Sequence, residues 1–314
     1  MNTRKEPAMA TTPETFVDAL NSAFGKQTTQ RSAHAKGVVL LGKFVPSAEA
    51  ASVSKALHFK HEVPVTVRFS ANTGMPKIAD ADPRATPRGL AIKFRLPDGS
   101  DTDLVTHSYN GFPAKNPEEF QQFFLAIAGS KPGVPSPTPI EAFQETHPAA
   151  KTFLTTRDPP PVSYATTTYF GVNSFKFVNE KGTVTIGRYQ LLPDAGRHFL
   201  SKDESAKAAT NYLEDEIRQR VARGAIRFRH PGHHRTLDGD VRSHLSIDVR
   251  ICRRSISLLP VRIRRFSSDS PLEETVRSEL VSEAPAGRSS CQPRGWGPQE
   301  KRVNESFLDD IKKG

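Results

Sequence analysis

The chain has 314 residues, which is enough for one large domain or two ordinary ones with a sizeable core. With 36% hydrophobic residues it is too apolar for a disordered protein, yet no stretch approaches the ~20 apolar residues of a membrane-spanning helix. Only two cysteines, Cys252 and Cys291, are present, which excludes a disulfide framework and a cysteine-rich zinc site. No apolar segment typical of a secretory signal begins the chain, so we expect a cytoplasmic protein.

The periodicity of the chain predicts an α+β protein with antiparallel strands and helices outside them. In chain order it predicts a helix over 13–25, strands over 35–45, 65–71, 89–96 and 102–109, and a helix over 117–129. The Pro-rich residues 131–163 lack periodicity and are expected to form a wrapping loop. A hairpin is expected to turn at 180–182, and residues 202–223 predict one long charged helix.

The formal net charge of +10 is concentrated toward the C-terminal end, where the composition also changes. From Ala225 to Glu300 there are thirteen arginines and no lysine, and serine becomes common. We therefore divide the chain into a flexible N-terminus (1–12), a folded domain (13–228) and an irregular Arg/Ser-rich tail (229–314). The tail is either a basic, disordered segment or the product of an altered reading frame. The abruptness of the change favours the second explanation.

Two segments carry residue types that suit chemistry. His34 lies in the sequence RSAHAKG, just before the first predicted strand, where an isolated histidine is more often structural than catalytic. Arg68, Arg84 and Arg88 lie among apolar strand residues. A guanidinium group pairs with two oxygens of a carboxylate or phosphate, although charges on an edge strand are the ordinary explanation.

The order of several motifs resembles that of the haem catalase superfamily. R-x-x-H-A-K-G is followed by V-R-F-S, P-R-G-x-A-x-K-F and D-L-V, and residues 169–193 are similar to the corresponding stretch of the small members, the catalase-related peroxidases. The resemblance covers about residues 13–228. It implies an antiparallel β-barrel that encloses a haem pocket, helices packed outside the barrel, and haem b as the cofactor.

The resemblance also implies roles for single residues. His34 matches the distal histidine, which takes a proton from one peroxide oxygen and returns it to the other. Ser70 matches the serine that hydrogen-bonds the other nitrogen of that ring and so fixes its orientation. Arg31 and Arg68 match the arginines that hold the haem propionates.

Four further positions are less settled. Phe112 and Phe120 fall on aromatic positions of the haem pocket, with ordinary core packing as an equal explanation. His107 occupies the position of an asparagine that places the peroxide in catalases, and the nearby Asn110 is a candidate substitute. This departure favours peroxidase-like behaviour over fast dismutation.

The iron ligand is not identified. Catalase haem is ligated by a tyrosine phenolate near the C-terminus, and no tyrosine follows Tyr212 here. Several side chains in this region are chemically able to bind iron, although histidines in such a tail are more often simply solvated. They are His230, His233, His234, His244, Cys252 and Cys291.

The sequence therefore predicts a haem-dependent peroxidase that reduces hydrogen peroxide or small organic hydroperoxides with an unidentified electron donor. The alternative is a non-catalytic, truncated or frame-altered catalase-like protein that lacks the proximal tyrosine. A third interpretation, a nucleic-acid-binding protein, has no zinc-finger spacing, RNP motif or aromatic–basic pattern behind it. We expect neither a nucleic-acid nor a membrane partner.

Overall fold

The computed structural model describes residues 11–236 and 239–247, with side chains as far as Arg229. They form an α+β fold, as predicted, in which an antiparallel sheet curls into part of a barrel and helices pack outside it. All described elements lie within one compact unit, residues 1–261. The predictions made for residues 1–10, and for the tail beyond Ile247, lie outside the described residues.

Ten described strands make up the sheet. They are β1 Gly37–Phe44, β2 Val63–Ala71, β3 Arg88–Arg95, β4 Asp101–His107, β5 Tyr169–Phe170, β6 Phe175–Val178, β7 Val184–Gly187, β8 Gln190–Pro193, β9 Phe228–Thr236 and β10 Gly239–Ile247. The strand order is β1-β2-β3-β4-β5-β8-β9-β7-β6, and β10 pairs with β9. Because β1 to β4 each pair with the next strand in sequence, they form a meander.

The two faces of this meander differ in polarity, because side chains alternate along a strand. The inner face carries the main core, in which residues such as Val67, Phe69 and Leu90 are almost fully buried. Tyr164 stacks on the Phe69 ring with centroids 5.1 Å apart, and Leu213 packs into the same cluster. The outer face is left for the site described below.

Seven helices lie among the described residues: α1 Pro13–Phe24, α2 Ala50–Val53, α3 Pro117–Gly129, α4 Pro139–Thr146, α5 Pro148–Thr155, α6 Lys202–Lys207 and α7 Tyr212–Arg223. Helices α1, α3, α4 and α5 share a second, aromatic core. Phe124 is buried there, with its ring centroid 5.6 Å from that of Phe24 and 4.7 Å from that of Phe120. This core packs against Ala33 and Tyr109, which adjoin the two histidines of the site.

Two predictions of local structure were wrong. The expected loop over 131–163 contains α4 and α5, because prolines that we took as interruptions occupy the first turn of each helix, where no amide donor is needed. A capping box of Thr138 and Glu141 begins α4.

The long helix expected over 202–223 is divided into α6 and α7. The chain turns extended at Ala208, and the carbonyl of Thr210 accepts hydrogen bonds from Lys36 Nζ and the Asp80 amide instead of a helical partner. The start of the segment expected to be irregular, residues 229–247, continues as the hairpin of β9 and β10.

Candidate active site

One end of the outer face carries a row of four residues, one from each strand of the meander. In register across β1 to β4 these are Gly37, Ser70, Gly89 and His107. His34 lies three residues before Gly37, and its ring reaches back over this row. We call these four residues the distal row. It brings together four strands and two of the predicted site residues, Ser70 and His107.

His34 is held in one orientation by two contacts. Its Nδ1 lies 3.0 Å from Ser70 Oγ, so a hydrogen bond fixes the ring. Its carbonyl oxygen accepts a hydrogen bond of 2.7 Å from Arg68 Nη2. The backbone of His34 has a φ of 52°, in the left-handed region that a residue with a Cβ rarely adopts. Such a conformation persists only where the surroundings impose it.

The surroundings of His34 also favour its neutral form. Burial, followed by the charges of Arg68, His107 and Arg31, lowers its pKa from 6.5 to about 4. At neutral pH the ring is therefore uncharged and free to accept a proton. With Nδ1 engaged by Ser70, the nitrogen that remains for chemistry is Nε2.

Gly89 leaves the space that this arrangement needs. A Cβ at position 89 would lie 2.6 Å from Ser70 Oγ and 2.9 Å from His34 Nδ1. Both distances are shorter than van der Waals contact, so any side chain here would separate the histidine from its serine. The glycine thus permits the hydrogen bond that orients the ring.

His107 presents a second neutral imidazole. The amide of Tyr109 donates to His107 Nδ1 at 3.3 Å, which places the proton of the neutral ring on Nε2. Burial and the charge of Arg188 lower the pKa of His107 to about 4. Its Nε2 is buried, and no described residue provides it with a hydrogen-bond partner. The described residues therefore leave a hydrogen-bond donor, His107 Nε2–H, without an acceptor close to His34.

Next to the distal row, the outer face is largely apolar. The second row across the meander is Val39, Arg68, Ala91 and Val105. Val39 is 37% exposed and Val105 is 61% exposed, although both are apolar strand residues. Only Arg68 rises from this row, so a planar, largely apolar group could lie on it.

Two arginines adjoin this face with no acidic partner of their own among the described ion pairs. Burial and the nearby charge of Arg31 lower the pKa of Arg68 to about 10. Two guanidinium groups close together create a local positive potential, which suits the carboxylates of a ligand. Arg31 itself is exposed, at the start of the loop that leads to His34.

The remaining predicted residues lie at the edge of this face. Phe112 is 39% exposed, and its ring centroid lies 4.6 Å from that of Phe120 and 6.4 Å from that of His107. Phe120 belongs to the aromatic core of the helices, so it joins that core to the site. Asn110 is exposed, and its amide oxygen accepts a hydrogen bond of 3.1 Å from Arg188 Nη2, away from the His34–Ser70 pair.

Two of the arginines that the strand pattern singled out do not face the site. Arg88 is only 1% exposed and lies on the inner face, where its guanidinium donates to the carbonyl of Asp80. Arg84 is exposed and pairs with Asp82 two residues away. The alternation of the strand puts Arg88 on the opposite face from its neighbour Gly89.

Four of the tyrosines are poorly suited to bind iron on the outer face. Four of the five pack against the inner core or its edge, and burial raises the pKa of each. The Tyr169 hydroxyl donates to the Tyr164 carbonyl at 2.9 Å, and the Tyr212 hydroxyl to the Pro161 carbonyl at 2.7 Å. A phenolate is disfavoured at all four. Tyr109, the fifth, stacks beside His107 with ring centroids 6.4 Å apart.

The residues present thus fit one face of a haem and not both. The space at Gly89, the unpaired His107 Nε2 and the exposed valines leave room for a planar group on the outer face. Arg31 and Arg68 suit carboxylates on that group. Over the described part of the chain, no cluster of three or more His, Cys, Asp or Glu side chains could hold a metal ion. Nor does any helix in these residues have the length and apolarity to cross a membrane.

Sequence reasoning missed several residues that shape the site. Val39 and Val105 were not singled out because each lies within an ordinary apolar strand. Only the pairing register brings them beside Arg68. Alternation along β4 does place Val105 on the same face as His107, which is the signal that could have identified it.

Comparisons with known proteins identify the family of the chain. A family model described as catalase matches residues 4–227. The chain is 33% identical over 226 residues to a catalase-related peroxidase of Synechococcus elongatus, a match that covers 70% of this chain and 66% of that protein. It is 34% identical over 221 residues to a catalase-related peroxidase of Mycolicibacterium paratuberculosis, covering 69% of each.

Solved catalases share the fold. A fungal catalase superposes with a TM-score of 0.63 at 18% identity, covering 72% of this chain and 51% of that one. Catalase A from Saccharomyces cerevisiae gives a TM-score of 0.62 at 18% identity, with coverage of 72% and 52%. The match thus spans about two thirds of the related peroxidases and about half of these catalases. The chain belongs to the catalase family, in its catalase-related peroxidase subgroup.

Proposed function

We propose that the chain is a haem-dependent peroxidase that reduces hydrogen peroxide or small organic hydroperoxides, with His34 as the distal acid and base. The observation that carries this proposal is the hydrogen bond between His34 Nδ1 and Ser70 Oγ at 3.0 Å, beside the exposed apolar side chains of Val39 and Val105. The printed names of the related proteins support peroxide as the substrate.

His34 moves the proton. The neutral ring accepts the proton of the nearer peroxide oxygen on Nε2, while the Ser70 bond at Nδ1 keeps the ring from turning. Since burial lowers the pKa of His34 to about 4, the imidazolium is unstable and gives the proton up readily. Its return to the departing oxygen releases water or an alcohol. An electron donor then supplies two electrons and two protons, and the second peroxide oxygen leaves as water.

His107 places the substrate in this proposal. Its Nε2–H has no acceptor among the described residues, so a peroxide oxygen would complete its hydrogen bonding. Asn110 then has a different role from the family's asparagine, because its amide oxygen accepts a hydrogen bond from Arg188 at the edge of the site.

When bound, haem b supplies the redox chemistry that cleaves the peroxide. Val39, Ala91 and Val105 would lie under its ring, while Arg31 and Arg68 would pair with its carboxylates. Phe112 would cover one edge of the ring, and Phe120 would support Phe112 from behind.

The test is to express the protein with a haem precursor and compare it with His34→Ala and with His61→Ala. His61 is exposed at the start of β2 and serves as the matched control. We expect His34→Ala to lose turnover of peroxide with a chromogenic donor while its Soret absorbance per protein stays near that of the unaltered chain. Unchanged turnover in His34→Ala would remove this residue from the mechanism.

The packing of the tyrosines favours a second candidate, a catalase-like protein without turnover. Four phenol groups are turned into the core or its edge, and the described residues contain no cluster of three or more His, Cys, Asp or Glu side chains that could hold a metal ion. Absorption spectra separate the candidates. A Soret band with the charge-transfer features of a phenolate-bound, high-spin ferric haem supports the peroxidase, whereas the absence of any Soret band supports the second candidate.

A further inference from the structure

A second row of residues lies directly behind the distal row, on the inner face of the meander. Ala71 pairs with Arg88, the amide of Ser108 donates to the Arg88 carbonyl at 2.8 Å, and the amide of Ala71 donates to the Lys36 carbonyl at 3.0 Å. We call Lys36, Ala71, Arg88 and Ser108 the hidden row. Each of them is the chain neighbour of a residue in the distal row. A change in this hidden row therefore moves the residues of the site.

The hidden row is tied together by one buried acid, Asp80. Lys36 Nζ lies 2.7 Å from Asp80 Oδ1, and the two side chains are 9% and 1% exposed. The same ammonium group donates to the carbonyls of Ile78 and Thr210, each at 2.8 Å. One ion pair and two hydrogen bonds thus hold the ammonium group of Lys36 in position.

Asp80 joins three parts of the chain. Its Oδ2 accepts the amide of Leu213 at 2.9 Å in the first turn of α7, and its own amide donates to the Thr210 carbonyl at 2.9 Å. Its carbonyl oxygen accepts the Arg88 guanidinium. Lys36 and Arg88 together carry two positive charges against the single negative charge of Asp80. Removal of the acid would leave two buried cations without compensation.

His34 depends on this anchoring because its backbone is strained. Its φ of 52° is the one positive value among the described non-glycine residues. Two residues later, Lys36 is fastened by Asp80, and between them the amide of Ala35 donates to the Thr73 carbonyl at 3.1 Å. A released Lys36 would allow this segment to relax to an ordinary φ, which would rotate the His34 ring away from Ser70.

We propose that Asp80 is a positioning residue for the distal histidine, holding His34 against Ser70 through its ion pair with Lys36. The structure thereby links the docking of α7 to the orientation of a side chain on the other face of the sheet. The importance of that orientation for catalysis rests on the proposed function, but the orientation itself is measured without haem.

The experiment compares Asp80→Asn with Asp103→Asn in the full chain. Asp103 lies on β4 of the same sheet and pairs with Lys93 at the surface, so it is the matched control. Histidine side chains labelled with ¹⁵N are observed by long-range ¹H–¹⁵N correlation, with His34→Gln used to assign the His34 peaks. Circular dichroism confirms that each variant is folded at the temperature used.

In the unaltered chain and in Asp103→Asn, we expect His34 to show one fixed tautomer. In Asp80→Asn we expect its peaks to move toward the averaged values of exposed His61, because loss of a buried partner shifts the balance between conformers by about a hundredfold. A variant that melts earlier but keeps the His34 peaks would overturn the proposal, since Asp80 would then serve stability alone.

Lys36→Gln provides a second route to the same answer if Asp80→Asn does not fold. It removes the ammonium group but leaves Asp80 with the Leu213 amide and the Arg88 guanidinium. The same movement of the His34 peaks is expected. Unchanged peaks in a folded Lys36→Gln would also count against the proposal, whatever Asp80→Asn does.

Discussion

Replacement of Gly89 by alanine tests the geometry of the distal row directly. The added methyl group would lie 2.6 Å from Ser70 Oγ and 2.9 Å from His34 Nδ1, about 1 Å inside ordinary contact. Either the serine hydroxyl or the imidazole must move, so the bond between them is lost. That bond is worth about 1 kcal/mol, and overpacking costs about 1–3 kcal/mol more. Alanine also restricts the unfolded chain more than glycine does, which offsets about 0.4–1 kcal/mol of this loss in stability.

The free energy of unfolding should therefore fall by about 2 kcal/mol in Gly89→Ala, a value within the range usual for such substitutions. Urea denaturation followed by circular dichroism measures it, with Gly224→Ala as the matched control. A Cβ at Gly224 meets no atom within 4 Å, and its φ of 178° is open to any residue. If Gly89→Ala is as stable as Gly224→Ala and keeps haem binding and turnover, the cradle described here does not exist.

Three further predictions concern pH, the aromatic residues and Arg68. Burial lowers the folded-state pKa of His34, His58 and His107 to about 4, below the unfolded value of 6.5. The unfolded chain therefore binds more protons than the folded one in this range. The free energy of unfolding should accordingly fall as the pH is lowered from 6.5 toward 4. Each histidine contributes up to about 1.4 kcal/mol per pH unit, and urea midpoints that are equal at pH 7 and pH 5 would contradict this. Phe124→Ala should cost about 3–5 kcal/mol of unfolding free energy, whereas the exposed Phe112→Ala should cost less than about 1 kcal/mol and instead weaken haem binding in a spectroscopic titration. Arg68→Lys keeps the charge but loses the fork that reaches the His34 carbonyl, so haem affinity should fall by about tenfold, and equal affinities would show that the guanidinium geometry is not used.

The strands of the meander could be predicted because Pro, Gly and Asp separate them and because their apolar residues alternate. The motif order also placed His34, Ser70 and Arg68 at one site, and the structure brings these three together. The role of Asp80 could not be predicted, since its partners Lys36 and Leu213 are distant in sequence and meet only through the fold. The same holds for the exposure of Val105, which depends on strand register.

The break between α6 and α7 shows why local pattern fails at such places. Residues 202–223 have the charge pattern of a continuous helix, but the Thr210 carbonyl is taken by Lys36 and Asp80. Tertiary hydrogen bonds outweigh a weak local preference. The loop expected over 131–163 failed for the opposite reason, because its prolines begin helices instead of ending them.

The meander has a consequence for the order in which the protein forms. Each of β1 to β4 pairs with the strand that follows it, and pairing between near neighbours is quick and can begin while later residues are still being synthesised. Among the described hydrogen bonds of Lys36 and Asp80, those that reach furthest along the chain end at Thr210 and Leu213. Both precede Phe228, where the composition of the chain changes. The residues of the proposed site, from Arg31 to Phe120, therefore all lie upstream of that point and are synthesised before it.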